Sequence, residues 1–306
     1  MRYYFAPMEG LTDSIYRREH HRFFGGVDRY YIPFFSPTVH RTFTSRETRE
    51  LPKADSVPFC AVPQVLTNDP ENFLWAAEAC RDLGYAEINL NVGCPSGTVV
   101  AKRKGSGMLR DLDSLASFFD RIFAKSPLPV SVKTRLGMEE PEEFEKVLAL
   151  YNRYPIQELI VHPKVRRQFY EGQVQVEWFR YAAEHTAIPL CYNGDIRSLS
   201  NVAALKAQFP GLEAVMIGRG LIADPGMLAG GTEIGTLEAF LNALMDDYTE
   251  EFSGCRNALF RMKENWAYLH NRFAGSDKLW KQMRKTTDAA QFRALSAQVL
   301  HTCPLV

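Results

Sequence analysis

A single cysteine, Cys94, stands between an alternating apolar run and a loop rich in glycine, lysine and arginine, in the stretch INLNVGCPSGTVVAKRKGSGML (88–109). Three chemistries are open to a thiol there. It is a small buried apolar side chain, a thiolate nucleophile that needs a neighbouring base or positive charge, or a neutral thiol that donates a proton. Basic residues follow in the same loop but no histidine does, and the residue types alone leave the three alternatives open.

Polar and glycine residues recur where the other apolar runs end. Two of these ends, NGDIRS and GRGL, are glycine turns that lead into predicted helices, and the N–H groups of such turns approach a phosphate closely. The alternatives are that both are ordinary turns and that His162 is a hydrogen-bonded structural histidine. The full set is Pro7-Met8-Glu9-Gly10, Gln64, Asn91 with Cys94, Lys133 with Arg135, His162, Asn193-Gly194-Asp195 and Gly218-Arg219-Gly220.

Eight short apolar runs supply the strands that must position these residues. Helical patterns follow most of them, and this alternation predicts a (β/α)8 TIM barrel, an α/β fold whose strand ends meet at one face. A doubly wound open sheet is the alternative, but no GxGxxG turn follows the first run. The predicted strands are 3–8, 28–34, 59–65, 85–93, 129–136, 158–162, 188–196 and 213–220. The predicted helices are 69–84, 111–125, 140–154, 177–185 and 198–209.

The C-terminal part of the chain has a different pattern. The strands stop after residues 231–236, and 237–300 is predicted to be helical throughout. We therefore expect a barrel domain over 1–235 and a small all-helical domain over 236–306. Residues 255–293 hold nine basic and three acidic residues, a net charge of +6, within a chain that has 36 of each. This local charge favours an RNA-binding surface, and a solvated helix face is the alternative.

Composition sets the class of protein. The chain has 306 residues, of which 46% are hydrophobic, as in globular proteins with a large core. Six cysteines occur without a CxxC pair or a zinc-like spacing, which predicts reduced thiols and no metal site. The sequence shows neither the apolar core of a signal peptide nor a membrane-length apolar run. We expect a cytoplasmic monomer.

Several motifs together resemble those of the tRNA-dihydrouridine synthases, flavin enzymes that reduce uridine in RNA. The similarity covers nearly the whole chain and includes the C-terminal stretch GSDKLWKQMRK. The GCP segment of 88–109 is the most specific part. The other similar segments, in chain order, are APMEGLTDSIYR, VPQVLTNDPENF, VSVKTRLG, CYNGDI and VMIGRG.

The resemblance implies reduction of uridine to 5,6-dihydrouridine in tRNA, with bound FMN and with NADPH or NADH as electron donor. Hydride would pass from flavin N5 to C6 of uracil, and Cys94 would deliver a proton to C5. A thiol suits that role, because an ordinary cysteine with a pKa of ~8.5 is still mostly protonated at pH 7. By position, the implied flavin contacts are Pro7, Met8, Gln64, Lys133, His162, Asn193, Gly194, Asp195, Gly218 and Arg219. The implied substrate contacts are Asn91, Arg135, Lys102, Lys104 and Arg166.

Two segments depart from the family pattern. HPKVRRQFYEG stands where the family usually has HGRTRxQxYxG, so that Lys164 replaces an arginine and loses its two-pronged contact, while Pro163 removes a backbone donor. IPFFSPTVH stands where a Glu-Met pair often occurs after the second strand. Ribosomal RNA, a free pyrimidine or an enone are therefore alternative substrates, and an RNA-binding barrel without activity is an alternative class.

Overall fold

Eight parallel strands form a closed barrel in chain order in the computed structural model, which describes all 306 residues. The ring closes through a hydrogen bond from the N–H of Arg2 to the carbonyl oxygen of Glu213 (2.6 Å). This confirms the TIM barrel expected from the alternating pattern. The strands are β1 (Arg2–Phe5), β2 (Arg29–Phe35), β3 (Ala61–Val65), β4 (Ile88–Val92), β5 (Val130–Arg135), β6 (Leu159–His162), β7 (Leu190–Tyr192) and β8 (Ala214–Ile217).

Thirteen α-helices surround or follow the strands. They are α1 (Ser14–Phe23), α2 (Ser45–Glu50), α3 (Pro70–Asp82), α4 (Gly97–Ala101), α5 (Leu112–Lys125), α6 (Glu143–Tyr151), α7 (Val176–His185), α8 (Leu199–Gln208), α9 (Arg219–Ala223), α10 (Ile234–Glu251), α11 (Cys255–Leu269), α12 (Asp277–Lys285) and α13 (Ala289–Thr302). Short 3₁₀ turns lie at Ala54–Ser56, Gly105–Arg110, Arg166–Gln168 and His270–Arg272.

Capping residues define the ends of the helices that the sequence predicted best. The side chain of Asp69 accepts hydrogen bonds from the first turn of α3, which begins with a proline, and Gly84 follows the helix with φ +87°. Asp111 caps α5 by accepting the N–H of Ser114 (3.0 Å). These side chains satisfy N–H groups that have no partner inside the helix, so both helices begin close to the predicted positions.

The interior of the barrel is packed with apolar and aromatic side chains. They come from six of the strands and from the residue that follows β1: Tyr4, Ala6, Tyr31, Val62, Ile160, Cys191, Ala214 and Met216. The barrel is therefore a solid core without a channel, and chemistry is left to the strand ends.

The structure corrects the predicted element bounds in several places. All eight strands exist, and seven are shorter than predicted. The run 188–196 contributes only Leu190–Tyr192, whereas β2 has the predicted length and is shifted by one residue. The predicted helical region 237–300 is confirmed as four helices joined by short turns. The first helix begins at Ile234, and Phe273 makes an antiparallel bridge to Leu305. Gly275, with φ +76°, lies in the turn before α12.

The chain divides into two compact units. The first comprises residues 1–7, 28–195 and 203–216, and the second comprises 8–27, 196–202 and 217–306. Within the second unit, α1 packs on α10 through Phe240, whose ring meets those of Tyr16 (5.5 Å) and Phe24 (5.2 Å) edge-on. The predicted domain division between residues 235 and 236 stays a prediction. No helix is both long and apolar enough to cross a membrane.

Candidate active site

A chain of side-chain hydrogen bonds runs across β3, β4 and β5. The amide of Asn91 donates to Gln64 Oε1 (2.8 Å), the amide of Gln64 donates to Asn89 Oδ1 (2.7 Å), and Asn89 donates to Ser131 Oγ (2.8 Å). All four residues are buried. An amide has two N–H donors and one carbonyl oxygen, so these bonds fix the orientation of Gln64 and leave it one further donor.

Asn91 also fixes the backbone that carries Cys94. Its side-chain oxygen accepts the N–H groups of Gly93 (3.0 Å) and Cys94 (2.9 Å). On the other side, Ser106 donates to the carbonyl oxygen of Cys94 through both its backbone (3.1 Å) and its hydroxyl (2.8 Å). A Cβ at Gly105 would lie 2.9 Å from the same carbonyl, so only glycine fits that turn. The half-buried thiol is thus held in a defined position at the end of β4.

Lys133 lies beside this segment, because it pairs in register with Asn91 across β4 and β5. Burial lowers its pKa to about 8, and the charge of Arg135 acts in the same direction, while Cys191 and Cys94 oppose the shift. An ammonium group whose pKa lies near 8 exchanges its proton close to neutral pH, which is typical of a functional lysine.

The guanidinium of Arg135 binds backbone carbonyls of the two neighbouring loops. It donates to Gly93 O (3.0 Å), Val165 O (3.1 Å) and Phe169 O, and it lies over the ring of Tyr170 at 5.5 Å. The side chain is 1% exposed. In this structure Arg135 ties the loop after β4 to the loop after β6, and its implied contact with uracil stays a prediction.

His162 is the last residue of β6, and Asn193 directly follows β7. His162 is half-buried and pairs in register with Arg135. The N–H of Asn193 bonds to Val161 O (2.9 Å), and its side-chain amide donates to Met216 O (2.8 Å). The register of β3 to β6 therefore brings Gln64, Asn91, Lys133 and His162 to one end of the barrel, as the sequence predicted.

The turn after β7 has no room for a side chain at its glycine. A Cβ on Gly194 would lie 2.8 Å from Tyr192 Oη and 2.9 Å from Val174 Cγ1. The next residue, Asp195, has φ +44°, a left-handed conformation that is uncommon for residues other than glycine. Together they form a tight turn of specific geometry at the strand end.

Lys164, in the loop after β6, binds this turn through its side chain, although the sequence analysis treated it only as a weaker substitute for arginine. Its side chain is fully buried, and its Nζ lies 2.8 Å from Asp195 Oδ2 and donates to Gly172 O (2.8 Å). Ser106, Asn89 and Ser131 were also missed. For Asn89 a signal was available, since it stands two residues before Asn91 and therefore on the same strand face.

The remaining predicted residues lie in the loops and in the second unit. Lys102 is exposed, and Lys104 is half-buried with a pKa lowered by burial and by Lys102. Arg166 stacks its guanidinium on Phe169 at 4.8 Å.

Pro7 directly precedes Met8, whose carbonyl accepts the N–H of Leu11 and of Thr12 (3.0 Å each) in a turn of the second unit. Gly218 precedes α9, which begins at Arg219; a Cβ at the next residue, Gly220, would overlap the Ile196 carbonyl. No three His, Cys, Asp or Glu side chains are grouped to hold a metal ion.

Comparison with known proteins identifies the family to which the chain belongs. Residues 4–302 match the family model described as Dihydrouridine synthase (Dus). A probable tRNA-dihydrouridine synthase of Rickettsia bellii is 30% identical over 225 residues, which are 73% of this chain and 68% of the relative. The tRNA-dihydrouridine(16) synthase of Neisseria meningitidis serogroup B is 25% identical over 312 residues, covering 96% of this chain and 93% of the relative.

Solved structures share the fold at low sequence identity. Morphinone reductase in complex with tetrahydroNAD has a TM-score of 0.52, with 10% identity, over 74% of this chain and 85% of that chain. The old yellow enzyme homologue from Zymomonas mobilis has a TM-score of 0.52, with 12% identity, over 73% of this chain and 86% of that chain.

The fold is a TIM barrel, and the family match makes the chain a TIM-barrel oxidoreductase. The chain belongs to the dihydrouridine synthase family, as its GCP segment and the other motifs predicted.

Proposed function

We propose that this enzyme reduces uridine to 5,6-dihydrouridine in tRNA, with FMN as its bound cofactor and NADPH or NADH as the electron donor. The names of the relatives support the tRNA substrate. The observation that carries the proposal is the fixed position of Cys94. Asn91 and Ser106 hold its backbone from both sides, and Lys133 lies on the adjacent strand.

The residues present suit a flavin. An isoalloxazine ring offers carbonyl and ring-nitrogen acceptors along one edge and apolar carbons along the other. The strand ends supply the remaining donor of Gln64 and the ammonium of Lys133, and the apolar barrel interior lies beneath them. The first-unit residues assigned to FMN are Pro7, Gln64, Lys133 and His162 for the ring, and Asn193, Gly194 and Asp195 for the ribityl-phosphate end. The roles of Met8, Gly218 and Arg219, in the second unit, stay predictions from the resemblance.

The cofactor and the protein's own residues would perform different parts of the reaction. When bound and reduced, FMN would supply the hydride for C6 of uracil. The thiol of Cys94 gives its proton to C5, and the resulting thiolate recovers a proton from solvent. Lys133 supplies positive charge close to Cys94, and Asn91 and Arg135 hold the uracil and the loops around it. Since a stacked base cannot reach a strand-end site, the uridine is flipped out of the RNA.

The helices of the second unit carry the surface that we assign to tRNA. Four of the nine basic residues in 255–293 are engaged within the fold: Arg261 with Glu264, Lys263 with Thr286 O, Arg272 with Asp224 and Arg293 with Asp246. The exposed ones are Arg256 and the α12 residues Lys278, Lys281, Arg284 and Lys285. Four exposed positive charges on one nine-residue helix favour contact with phosphates over an ordinary solvated face.

The test is a comparison of substrates with purified protein. Protein loaded with FMN and given NADPH or NADH is incubated with unmodified tRNA, ribosomal RNA or free uridine, and uridines that gain two hydrogens are mapped by mass spectrometry. We expect dihydrouridine in tRNA alone. Reduction of ribosomal RNA or of free uridine in its place would contradict the substrate assignment, and protein that binds no flavin would contradict the proposal as a whole.

A further inference from the structure

Lys164 is a fully buried cation in the loop after β6. Its Nζ is 2.8 Å from Asp195 Oδ2, and it also donates to the carbonyl oxygen of Gly172 (2.8 Å). Burial of an ammonium group is unfavourable unless the charge is paired and hydrogen-bonded, and here both conditions are met. The pair links the loop after β6 to the turn after β7.

Asp195 holds a negative charge at the turn that we assign to the phosphate end of FMN. Its backbone is left-handed, with φ +44°, and its side chain is about one quarter exposed. The pKa of the neighbouring Tyr192 is raised, first by burial and then by the charge of Asp195. A carboxylate in such a turn would repel a phosphate dianion unless a cation cancelled its charge.

We infer that Lys164 is a positioning residue for the phosphate of the cofactor: it holds Asp195 in the turn after β7 and cancels its charge. This inference rests on the proposed function. Lys164, the lysine of the HPKV segment, therefore acts within the fold through Asp195 and does not contact the RNA.

The experiment measures the dissociation constants of FMN and of riboflavin, which lacks the phosphate, on apo-protein by quenching of flavin fluorescence. The variants are Lys164→Met, Asp195→Asn and the double substitution. Lys206→Met is the matched control, because Lys206 donates to the carbonyls of Pro210 and Leu212 and has no acidic partner.

We expect Lys164→Met to weaken FMN binding ~10- to 100-fold and riboflavin binding less than ~3-fold, because only FMN carries the negative charge that Asp195 repels once the ammonium of Lys164 is gone. The double variant should return FMN to within ~3-fold of the wild type, since it removes both charges of the pair. Lys206→Met should change neither constant.

Equal weakening of FMN and riboflavin by Lys164→Met would overturn the inference, because it would reveal a purely structural role. If Lys164→Met does not fold, Asp195→Asn decides. Removing the carboxylate while Lys164 stays should keep or raise the preference for FMN over riboflavin, and a fall in that preference overturns the inference. Wild-type protein that binds neither flavin refutes the proposed function itself, whereas FMN preference that is unchanged in Lys164→Met refutes only the role of Lys164.

Discussion

Asn91 holds the backbone of Cys94 in place: its side-chain oxygen accepts the N–H of Cys94 at 2.9 Å and that of Gly93 at 3.0 Å. The same side chain donates to Gln64 (2.8 Å), so one residue connects the cysteine segment to the amide chain of the neighbouring strand. A small shift at Asn91 would therefore move the thiol and the Gln64 amide together.

Replacing Asn91 with alanine should impair catalysis more than folding. The cysteine segment would lose its two bonds to the Asn91 side chain. Displacement of the thiol by about 1 Å is expected to lower turnover by ~10²-fold. The rate at which iodoacetamide alkylates Cys94, read by peptide mass spectrometry, should change in parallel. Asn91→Asp retains the acceptor oxygen and is the matched control, so its alkylation rate should stay nearer the wild type. An Asn91→Ala variant with wild-type turnover and alkylation would refute this role.

Lys133 should make the apo-protein less stable below pH 8. Its pKa falls from the ordinary 10.5 to about 8 because of burial and the charge of Arg135. Below pH 8 the folded protein therefore keeps a partly buried ammonium group that the unfolded chain solvates fully. Between pH 8 and 10.5 the folded protein has released this proton while the unfolded chain still holds it, so the penalty disappears as pH rises.

We expect Lys133→Met to raise the free energy of unfolding of the apo-protein at pH 7 by up to about 3 kcal/mol, with a gain that shrinks towards pH 10.5. Thermal melts across this pH range measure the difference. Lys146→Met, at an exposed site on α6, should show no such trend. A gain that is constant with pH would exclude titration of Lys133 as its cause.

A methyl group at Gly194 should disturb the turn after β7. In Gly194→Ala the new Cβ would lie 2.8 Å from Tyr192 Oη, so the variant should lose about 1–3 kcal/mol of stability and bind FMN more weakly. Tyr192→Phe removes the clashing oxygen, and the double variant should recover part of both losses. Urea unfolding and flavin titration provide the measurements. If the double variant recovers neither stability nor FMN affinity, the contact with Tyr192 Oη is not the cause of the losses.

Charge removal on α12 should weaken tRNA binding without affecting the flavin. Replacing Lys278, Lys281 and Lys285 with glutamine should lower tRNA affinity and reduce the slope of log affinity against log salt by about 0.7–0.9 per charge that contacts a phosphate. A matched triple variant at the exposed barrel lysines Lys53, Lys125 and Lys146 should leave the slope unchanged. Equal effects of the two triple variants would argue against a specific surface on α12.

The strand order and the strand-end residues were predictable from the sequence, because apolar runs of the observed spacing have few ways to pair. Gln64, Asn91, Lys133 and His162 follow from that order alone, since parallel strands place their carboxyl ends at one face. The breaks among the C-terminal helices were not predicted, although Gly275 and Ser276 before α12 are residue types that commonly end one helix and begin the next.

The partners of buried charges could not be predicted. Arg135 bonds to carbonyls 42, 30 and 34 residues away, and Lys164 pairs with an aspartate on another strand end. Backbone carbonyls exist at every residue, so no residue type or spacing marks the ones that a guanidinium will reach. Only the folded positions of the loops determine these contacts.

The central claim is that Cys94 provides the proton at C5, and the Cys94→Ala variant tests it most directly. Two rates are measured on the FMN-loaded protein: oxidation of the nicotinamide, and formation of dihydrouridine in tRNA. Cys255→Ala, at an exposed cysteine of the second unit, is the control. The account predicts that Cys94→Ala keeps nicotinamide oxidation at the wild-type rate and forms almost no dihydrouridine, while the control does both. Dihydrouridine formation at the wild-type rate by Cys94→Ala would contradict it.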